Sequence, residues 1–391
     1  MSNFRTFPVV VSALIAATAC DPAASPGPGS ERSDEDGIEL VTIRGPDTSL
    51  GWTFETVLTI PPELDGEVRF TEVSPWEVGA DEDGRLYVLD DDGGRVVVFG
   101  RSGREVGSVG RPGREPDELS EPVALAVTAA GEVAVVDYAA GGIMRWGSAG
   151  GLPSIERLET NFWGPELRAA SWGILYPSLA SDGREGRVVQ LVVAAETRTG
   201  VLAEMTQKTV TAAFPNCGIS GIPVEPIFEP HLLWDLGGDI VAVATGPGYE
   251  IEVFRRGVME RRIVREKDVR PVDRDLALQE VGDGLELTAP VRCRVSPAEL
   301  VDARGFADAV PSISGIAVAP DGSIWVRRAA VAGEGIPAVD VLGPDGDYLG
   351  TLPTGSPFPA AFAGRATDYR AVSLRSADTG ATEIVVSRIV R

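Results

Sequence analysis

Trp76-Glu77-Val78-Gly79-Ala80, followed by Asp83-Gly84, Leu86-Tyr87-Val88, Arg95 to Phe99 and Ser102-Gly103, is the stretch that decides the fold. It reads as a short strand, a tight glycine turn, two apolar strands and a second glycine turn. The same phrase returns with Gly131 before Val133 to Val136 and Ile143 to Trp146, and with Gly238 before Ile240 to Val243 and Ile251 to Phe254. A fourth copy has Asp321-Gly322 before Ile324-Trp325-Val326, then Val339 to Leu342 and Asp345-Gly346. Strands and turns repeated at this period predict a radial array of small antiparallel sheets.

Spacing turns the repeat into a blade count. Gly84 and Gly131 lie roughly 47 residues apart, within the roughly 40 to 50 that a four-stranded blade occupies. The wider gap from Gly131 to Gly238 holds one worn copy around Trp172 to Met205, where Val188 to Val193 and Val201 to Met205 supply apolar runs. Between Gly238 and Gly322 the stretch Ile263 to Ser312 reads as a helical insertion rather than a further blade. These are five units. A sixth is expected from the C-terminal strands Arg370 to Leu374 and Thr382 to Val390, joined by an N-terminal strand from either Ile38 to Ile43 or Phe54 to Ile60. The expected fold is therefore an all-β, six-bladed β-propeller of four-stranded antiparallel blades, closed by its two ends, which removes exposed sheet edges.

Continuous apolar runs support the packing. A sheet with one wet face alternates apolar and polar residues, whereas one covered on both faces does not. Val96-Val97-Val98-Phe99 and Val123-Ala124-Leu125-Ala126-Val127 are unbroken, as blades shielding each other require. A parallel βαβ stack would need a helix between such strands. The connector from Phe99 to Val123 is instead rich in Gly, Pro and Glu.

Arg5 and the apolar stretch Phe7 to Ala19 have the form of a secretory signal peptide, too short to span a bilayer, which takes about 20 residues. Ala17-Thr18-Ala19-Cys20 resembles the lipobox of bacterial lipoproteins. That resemblance implies a signal peptide over residues 1–19, cleavage before Cys20 and diacylglycerol on its thiol; ordinary cleavage with a free cysteine is the alternative. Residues 20–37, rich in Pro, Gly, Ser and acids, read as the lipidated cysteine and a flexible tether. Residues 38–391 are expected to form the propeller, with its insertion at about 263–312. The compartment is the bacterial envelope, periplasmic side, with inner or outer membrane left open.

The 391 residues carry 58 acids against 35 Lys and Arg, a formal net charge of −23. Loss of the signal peptide removes one further cation, Arg5. Nucleic acid is a poor partner for such a chain, since it is held through basic footprints. The acids are scattered through turns, as solubility requires, rather than massed in one steering patch.

Little catalytic chemistry is visible. Cys217 and Cys293 are either a disulfide or two separate buried thiols, and an oxidising compartment favours the former. With one histidine, His231, they cannot complete a four-ligand zinc site. Any nucleophile-histidine scheme must also rest on His231, which has no partner in the sequence pattern. Asp81 to Asp83 and Asp90 to Asp92 lack calcium-loop spacing and suit tight turns. Gly110, Pro112 and Gly113 lack the Lys and Ser or Thr of a phosphate loop. No catalytic residue, metal ligand or cofactor is assigned.

The cassette resembles the NHL-type repeat and, more closely, six-bladed β-propeller lipoproteins of environmental bacteria. Asp83-Gly84-Arg85-Leu86-Tyr87-Val88 and Asp321-Gly322-Ser323-Ile324-Trp325-Val326 carry the resemblance, with Gly110, Gly113, Pro116, Glu118, Leu119 and Pro122 echoing the link between blades. It covers about Phe70 to Trp146 and Ile313 to Leu352. Such repeats specify a fold far more than a function. Propellers of related shape include metal-dependent lactonases and lyases, whose calcium or zinc ligands this chain, with three Asn and one His, largely lacks.

The insertion is the candidate working surface, with simple decoration of the ring as the alternative. Ser296-Pro297-Ala298-Glu299 is a capping arrangement that predicts a helix through Ala303, and Pro271 to Glu280 suggests another. Helices there must lie on a face of the ring. The reading is a non-enzymatic binding or scaffolding lipoprotein, held to the membrane by its lipid, whose partner is an envelope protein, a glycan or a small molecule. A lactonase-like metal-dependent hydrolase or lyase is the alternative.

Overall fold

A computed structural model describes residues 29–391 except 65–66, 69, 71–72, 159–160, 184–185, 196–197, 288–291 and 377–380. The expected signal peptide, Cys20 and most of the expected tether lie outside the described residues. Six four-stranded antiparallel blades surround an axis. Blade 1 is Val78–Ala80, Leu86–Asp90, Arg95–Phe99 and Glu105–Val109, from the inside outward. Blade 2 is Pro122–Val127, Val133–Asp137, Gly142–Trp146 and Ser154–Arg157. Blade 3, the worn copy, is Arg168–Ala170, Gly173–Asp182, Gly186–Ala195 and Arg198–Lys208.

Blade 4 comprises Leu233–Gly237, Ile240–Ala244, Glu250–Arg255 and Val258–Arg265. Blade 5 comprises Ile313–Val318, Ile324–Arg328, Val339–Leu342 and Tyr348–Thr351. Blade 6 takes Ala361–Arg365, Asp368–Ser376 and Thr382–Val390 from the C-terminus and its outermost strand, Thr53–Ile60, from the N-terminus. Thr53 pairs with Val390 and Ile60 with Ile384, so the two ends of the chain close the ring.

The repeat glycines are the turns between the first and second strands of their blades. Gly84, Gly131, Gly238 and Gly322 all have φ between 60° and 83°, a region glycine enters without steric cost. The apolar runs explain themselves in the seams. Val88 and Val97 face blade 6 beside Ile60 and Val386, while Leu89, Val96 and Val98 face blade 2 beside Leu125 and Val135. Four more apolar layers join blades 2 and 3, 3 and 4, 4 and 5, and 5 and 6. Every blade therefore buries both faces, which is why alternation disappears from its inner strands.

Two N-terminal expectations are corrected. Ile38–Ile43 is not the closing strand; it adds to the outer edge of blade 4, parallel to Val258–Arg265. Ser30–Glu35, expected within the flexible tether, is itself a strand that pairs with Ile38–Ile43. The reason is the turn between them: Asp36 and Gly37 both take positive φ, 56° and 84°, the conformation that Asp-Gly favours in two-residue hairpins. Arg32 then pairs with Glu39 and with Asp347 of blade 5. From this hairpin the chain runs past blade 5, where Leu50 N donates to Thr351 O, and into blade 6. Residues 30–60 thus form a belt over three consecutive blades.

The insertion begins after Arg265, and its helices are Arg274–Val281 (α1) and Pro297–Arg304 (α2). Asp273 caps α1 by accepting from Leu276 N, and Ser296 with Glu299 forms the capping box of α2. A second insertion was not legible: the hairpin Val210–Phe214 and Ile219–Val224 separates blades 3 and 4.

Candidate functional site

The two insertions flank blade 4 in sequence and meet in space as a cap. Ala212 and Phe214 of the first pack with Val295 and Leu300 of the second, around Cys217. Cys217 and Cys293 are joined as a disulfide, with Cα atoms 5.4 Å apart. Asn216 Nδ2 donates to Glu299 Oε1 at 3.0 Å, adding a polar link. The cap is pinned to the ring on both sides of blade 4. On one side Arg187 pairs with Glu225 at 2.9 Å. On the other Arg270 pairs with Glu334 at 2.6 Å, Gln279 Nε2 donates to Ala332 O, and Ala332 N donates to Glu280.

Between cap and ring lies a pocket of about 500 Å³. Its position follows from strand direction. Leu233, Ile313 and Ser314 begin the inner strands of blades 4 and 5, so the pocket sits at the entry end of those strands. Its walls mix apolar side chains, Ile227, Phe228, Leu233, Leu300, Val310 and Ile313 among them, with the polar side chains Glu229, His231, Glu280, Arg304 and Ser314, and polar and apolar atoms share the exposed lining about evenly. A concave space of this size that combines apolar side chains with convergent polar groups can take a small molecule.

Phe228 is the strained member. Its φ of 64° puts an aromatic residue in the left-handed region, at a cost of about 1–3 kcal/mol. Neighbouring bonds hold it there: Ile227 N donates to Gly305 O at 3.0 Å, and Ala307 N donates to Ile227 O at 2.8 Å. The end of α2 therefore fixes the strap that carries Phe228.

The charged groups are individually anchored. Glu229 accepts from Lys208 N at 2.7 Å and Glu280 from Ala332 N at 2.8 Å. Arg304, the last residue of α2, donates from Nε to Glu225 O at 2.9 Å, and among the described residues no carboxylate pairs with it. His231 stands exposed at the rim, with Nδ1 2.9 Å from Nε2 of the buried Gln207.

The opposite end of the channel opens into a wider cavity of about 970 Å³, ringed by the turns that follow the inner strands, including Asp81, Thr128, Gly238 and Pro320. Within it Arg168 pairs with Asp235 at 2.6 Å, and Asp235 also accepts from Val318 N at 2.7 Å. This carboxylate thereby ties blades 3, 4 and 5 together. Nearby, Asp81 accepts from Arg85 N and from Tyr87 Oη, and in blade 1 Asp90 accepts from Gly93 N. Both aspartates serve the turns of blade 1. Among the described residues, no group of three or more His, Cys, Asp or Glu side chains converges to hold a metal ion.

Sequence reading located the insertion and its helices but not the pocket residues Phe228, Arg304 and Ser314. The one usable signal was Arg304, a basic residue closing a helix whose start was already legible.

No protein-family model and no curated protein matches the chain. Among solved structures it is similar to a protein of Bacteroides fragilis described as exported, at 11% identity over 90% of this chain and 100% of that one, with a TM-score of 0.50. A member of the DUF4221 family from Bacteroides vulgatus aligns at 8% identity over 87% and 99%, with a TM-score of 0.48. A gluconolactonase from Xanthomonas campestris aligns at 12% identity over 85% and 98%, with a TM-score of 0.37. Identities this low extend to the propeller fold and no further.

Proposed function

We propose that this protein is an exported, lipid-anchored binding protein that holds a ligand between its disulfide-fastened cap and the end of the propeller. The observation that carries the reading is the convergence of two separate insertions over one pocket of mixed polar and apolar lining. A ring needs neither insertion to close, yet the two share an apolar core, a second apolar cluster joins α1 and α2 to the strap at Ile227 and Phe228, and a disulfide locks the insertions together.

The anchor follows from Cys20 and its preceding residues, and among the described residues no helix is long and apolar enough to cross a membrane. The partner at the pocket is a small molecule or a short segment of an envelope protein or glycan that fits a space of about 500 Å³. The lactonase-like alternative has no converged set of three metal donors among the described residues to build on.

The test is a thermal-shift screen of small metabolites and oligosaccharides against the mature protein and against Ala330→Phe, which fills the pocket. A ligand that raises the melting temperature of the parent and not of the filled variant supports the reading. Ligands that stabilise both proteins equally overturn it.

A further inference from the structure

The N-terminal belt begins at the root of the cap. Ser30 pairs with Ile43, and Ile43 lies beside Arg265, the last residue of blade 4 before the insertion. Arg44 N donates to Gly29 O at 2.7 Å, Glu266 N donates to Ile43 O at 3.2 Å, and the Arg44 guanidinium pairs with both Glu31 and Glu266. Gly29, the first described residue, is therefore held next to the point where the chain leaves blade 4 to build the cap.

Strand direction makes this a statement about faces. Val258–Arg265 runs towards the cap and Ile38–Ile43 runs parallel to it, so Ser30–Glu35 runs away from the cap. The chain thus enters the ring at its cap end. Had the hairpin added in the opposite sense, Gly29 would stand at the far end, beside the turn at Gly257.

Residues 21–28 alone separate Gly29 from Cys20. A stretch of this length reaches at most about 30 Å. The outer strand of blade 4, Val258–Arg265, has 8 residues and covers about 25 Å from one end of the ring to the other. Laying the far end of the ring on the bilayer would stretch the tether almost fully along the side of blade 4. Laying the cap end on it needs no such extension.

We propose that the anchor holds the cap end of the ring against the bilayer, so that the face around Val269 and Ile336 is a lipid-facing surface. This rests on Cys20 being the lipidated residue, as in the function proposed above. Val269 and Ile336 are 67% and 62% exposed, and their neighbours Arg270 and Glu334 pair at 2.6 Å, which places both on one face. Leu152 and Val258 are comparably exposed at the far end, so apolar surface alone does not choose between the faces; the tether does. Nor does charge choose the cap, since residues 266–312 carry more acids than bases and gain nothing from anionic lipid. The partner of this face is the interfacial region of a neutral lipid surface. The capped pocket then lies on the bilayer side of the ring, and the wider cavity opens away from it.

The test uses the lipidated protein, purified in detergent and returned to phosphatidylcholine vesicles in which some headgroups carry a nitroxide, a quencher that acts at contact range. Val269→Cys, Ile336→Cys, Val258→Cys and Leu152→Cys are each labelled with bimane; all four side chains are exposed, so the fold tolerates the change. The expected result is loss of fluorescence at Val269→Cys and Ile336→Cys and none at Val258→Cys and Leu152→Cys. Lengthening the tether before Gly29 by about 20 Gly and Ser residues, which adds about 25 Å of mean reach, should shrink that difference. A difference unchanged by the longer tether overturns the tether as its cause. Equal quenching at all four positions, or quenching confined to Val258→Cys and Leu152→Cys, overturns the orientation, as does protein that floats with the vesicles while no position is quenched. Protein that does not float, and whose Cys20 carries no lipid by mass spectrometry, overturns the anchor and this inference with it. Ala330→Phe tests the capped pocket separately from either outcome.

Discussion

The Arg265 guanidinium and the Asp340 carboxylate, 1% and 0% exposed, meet at 2.6 Å in the seam between blades 4 and 5. Asp340 also accepts from Arg328 Nε at 2.9 Å and from Thr351 Oγ1 at 2.6 Å, so its oxygens are fully used. Asp47 of the N-terminal belt bridges Arg265 and Arg328 from the solvent side, at 2.7 and 2.6 Å. Tyr348 stacks on Arg265 at 4.0 Å. Removing the Asp340 charge leaves the buried Arg265 with only the partly exposed Asp47 as its counter-charge. Asp340→Asn is therefore expected to cost about 3–5 kcal/mol in denaturant unfolding. A loss below about 1 kcal/mol, the size of an exposed pair, would contradict a buried network.

The same cluster makes stability depend on pH. The hydrogen bond from Arg328 holds the Asp47 carboxyl well below the usual range, against the opposing effect of burial. A depressed carboxyl contributes stability above its unfolded pKa of about 3.9, and that contribution is lost as pH falls towards the folded value. Asp47→Asn should consequently be less stable than the parent at about pH 7, with the gap narrowing below about pH 4. A gap that stays constant with pH would show that the carboxylate charge is not what binds the belt.

Ring closure rests on apolar contact as well as strand pairing. Ile60, 1% exposed, lies in the layer between blades 6 and 1 with Phe99, Val372 and Ile384. Ile60→Ala should cost about 2–5 kcal/mol, the usual range for such a cavity. Chemical denaturation measures it, and an effect under about 1 kcal/mol would mean that the N-terminal strand is peripheral to closure.

The disulfide spans 76 residues of sequence and encloses the whole of blade 4. Closing a loop of this order contributes about 2–4 kcal/mol. Replacing both Cys217 and Cys293 by Ser should raise hydrogen exchange in α1 and α2 while blades 1 and 2 keep their protection. Uniformly faster exchange would instead make the bond a staple of the entire ring.

What was legible in the sequence, and what was not, follows from the range of the interactions. Gly84, Gly131, Gly238 and Gly322 announce the blades because each turn is fixed by its own residue. Blade 6 was recognisable from its strands, but whether Ile38 to Ile43 or Phe54 to Ile60 closed it depended on contacts hundreds of residues away. Ser30–Glu35 was hidden by its polar composition: Arg32 earns burial through Glu39 and Asp347, not through hydrophobicity. Its Asp36-Gly37 turn was the signal available. The capped pocket was less legible still, because Phe228, Arg304 and Ser314 come from three segments that no local pattern connects.

Anchoring is tested at Cys20. In a Gram-negative host supplied with a labelled fatty acid, the parent should carry the label and sediment with membranes. Cys20→Ser should do neither. A soluble, unlabelled parent would contradict the lipid anchor while leaving the pocket unaffected.

The most direct test of the central claim is hydrogen exchange of the mature protein with and without N-phenylnaphthylamine. Binding between cap and ring predicts slower exchange at residues 226–233, α1, α2 and the starts of the inner strands of blades 4 and 5. Protection confined to the turns at Asp81, Thr128 and Gly238, at the other end of the channel, would contradict it.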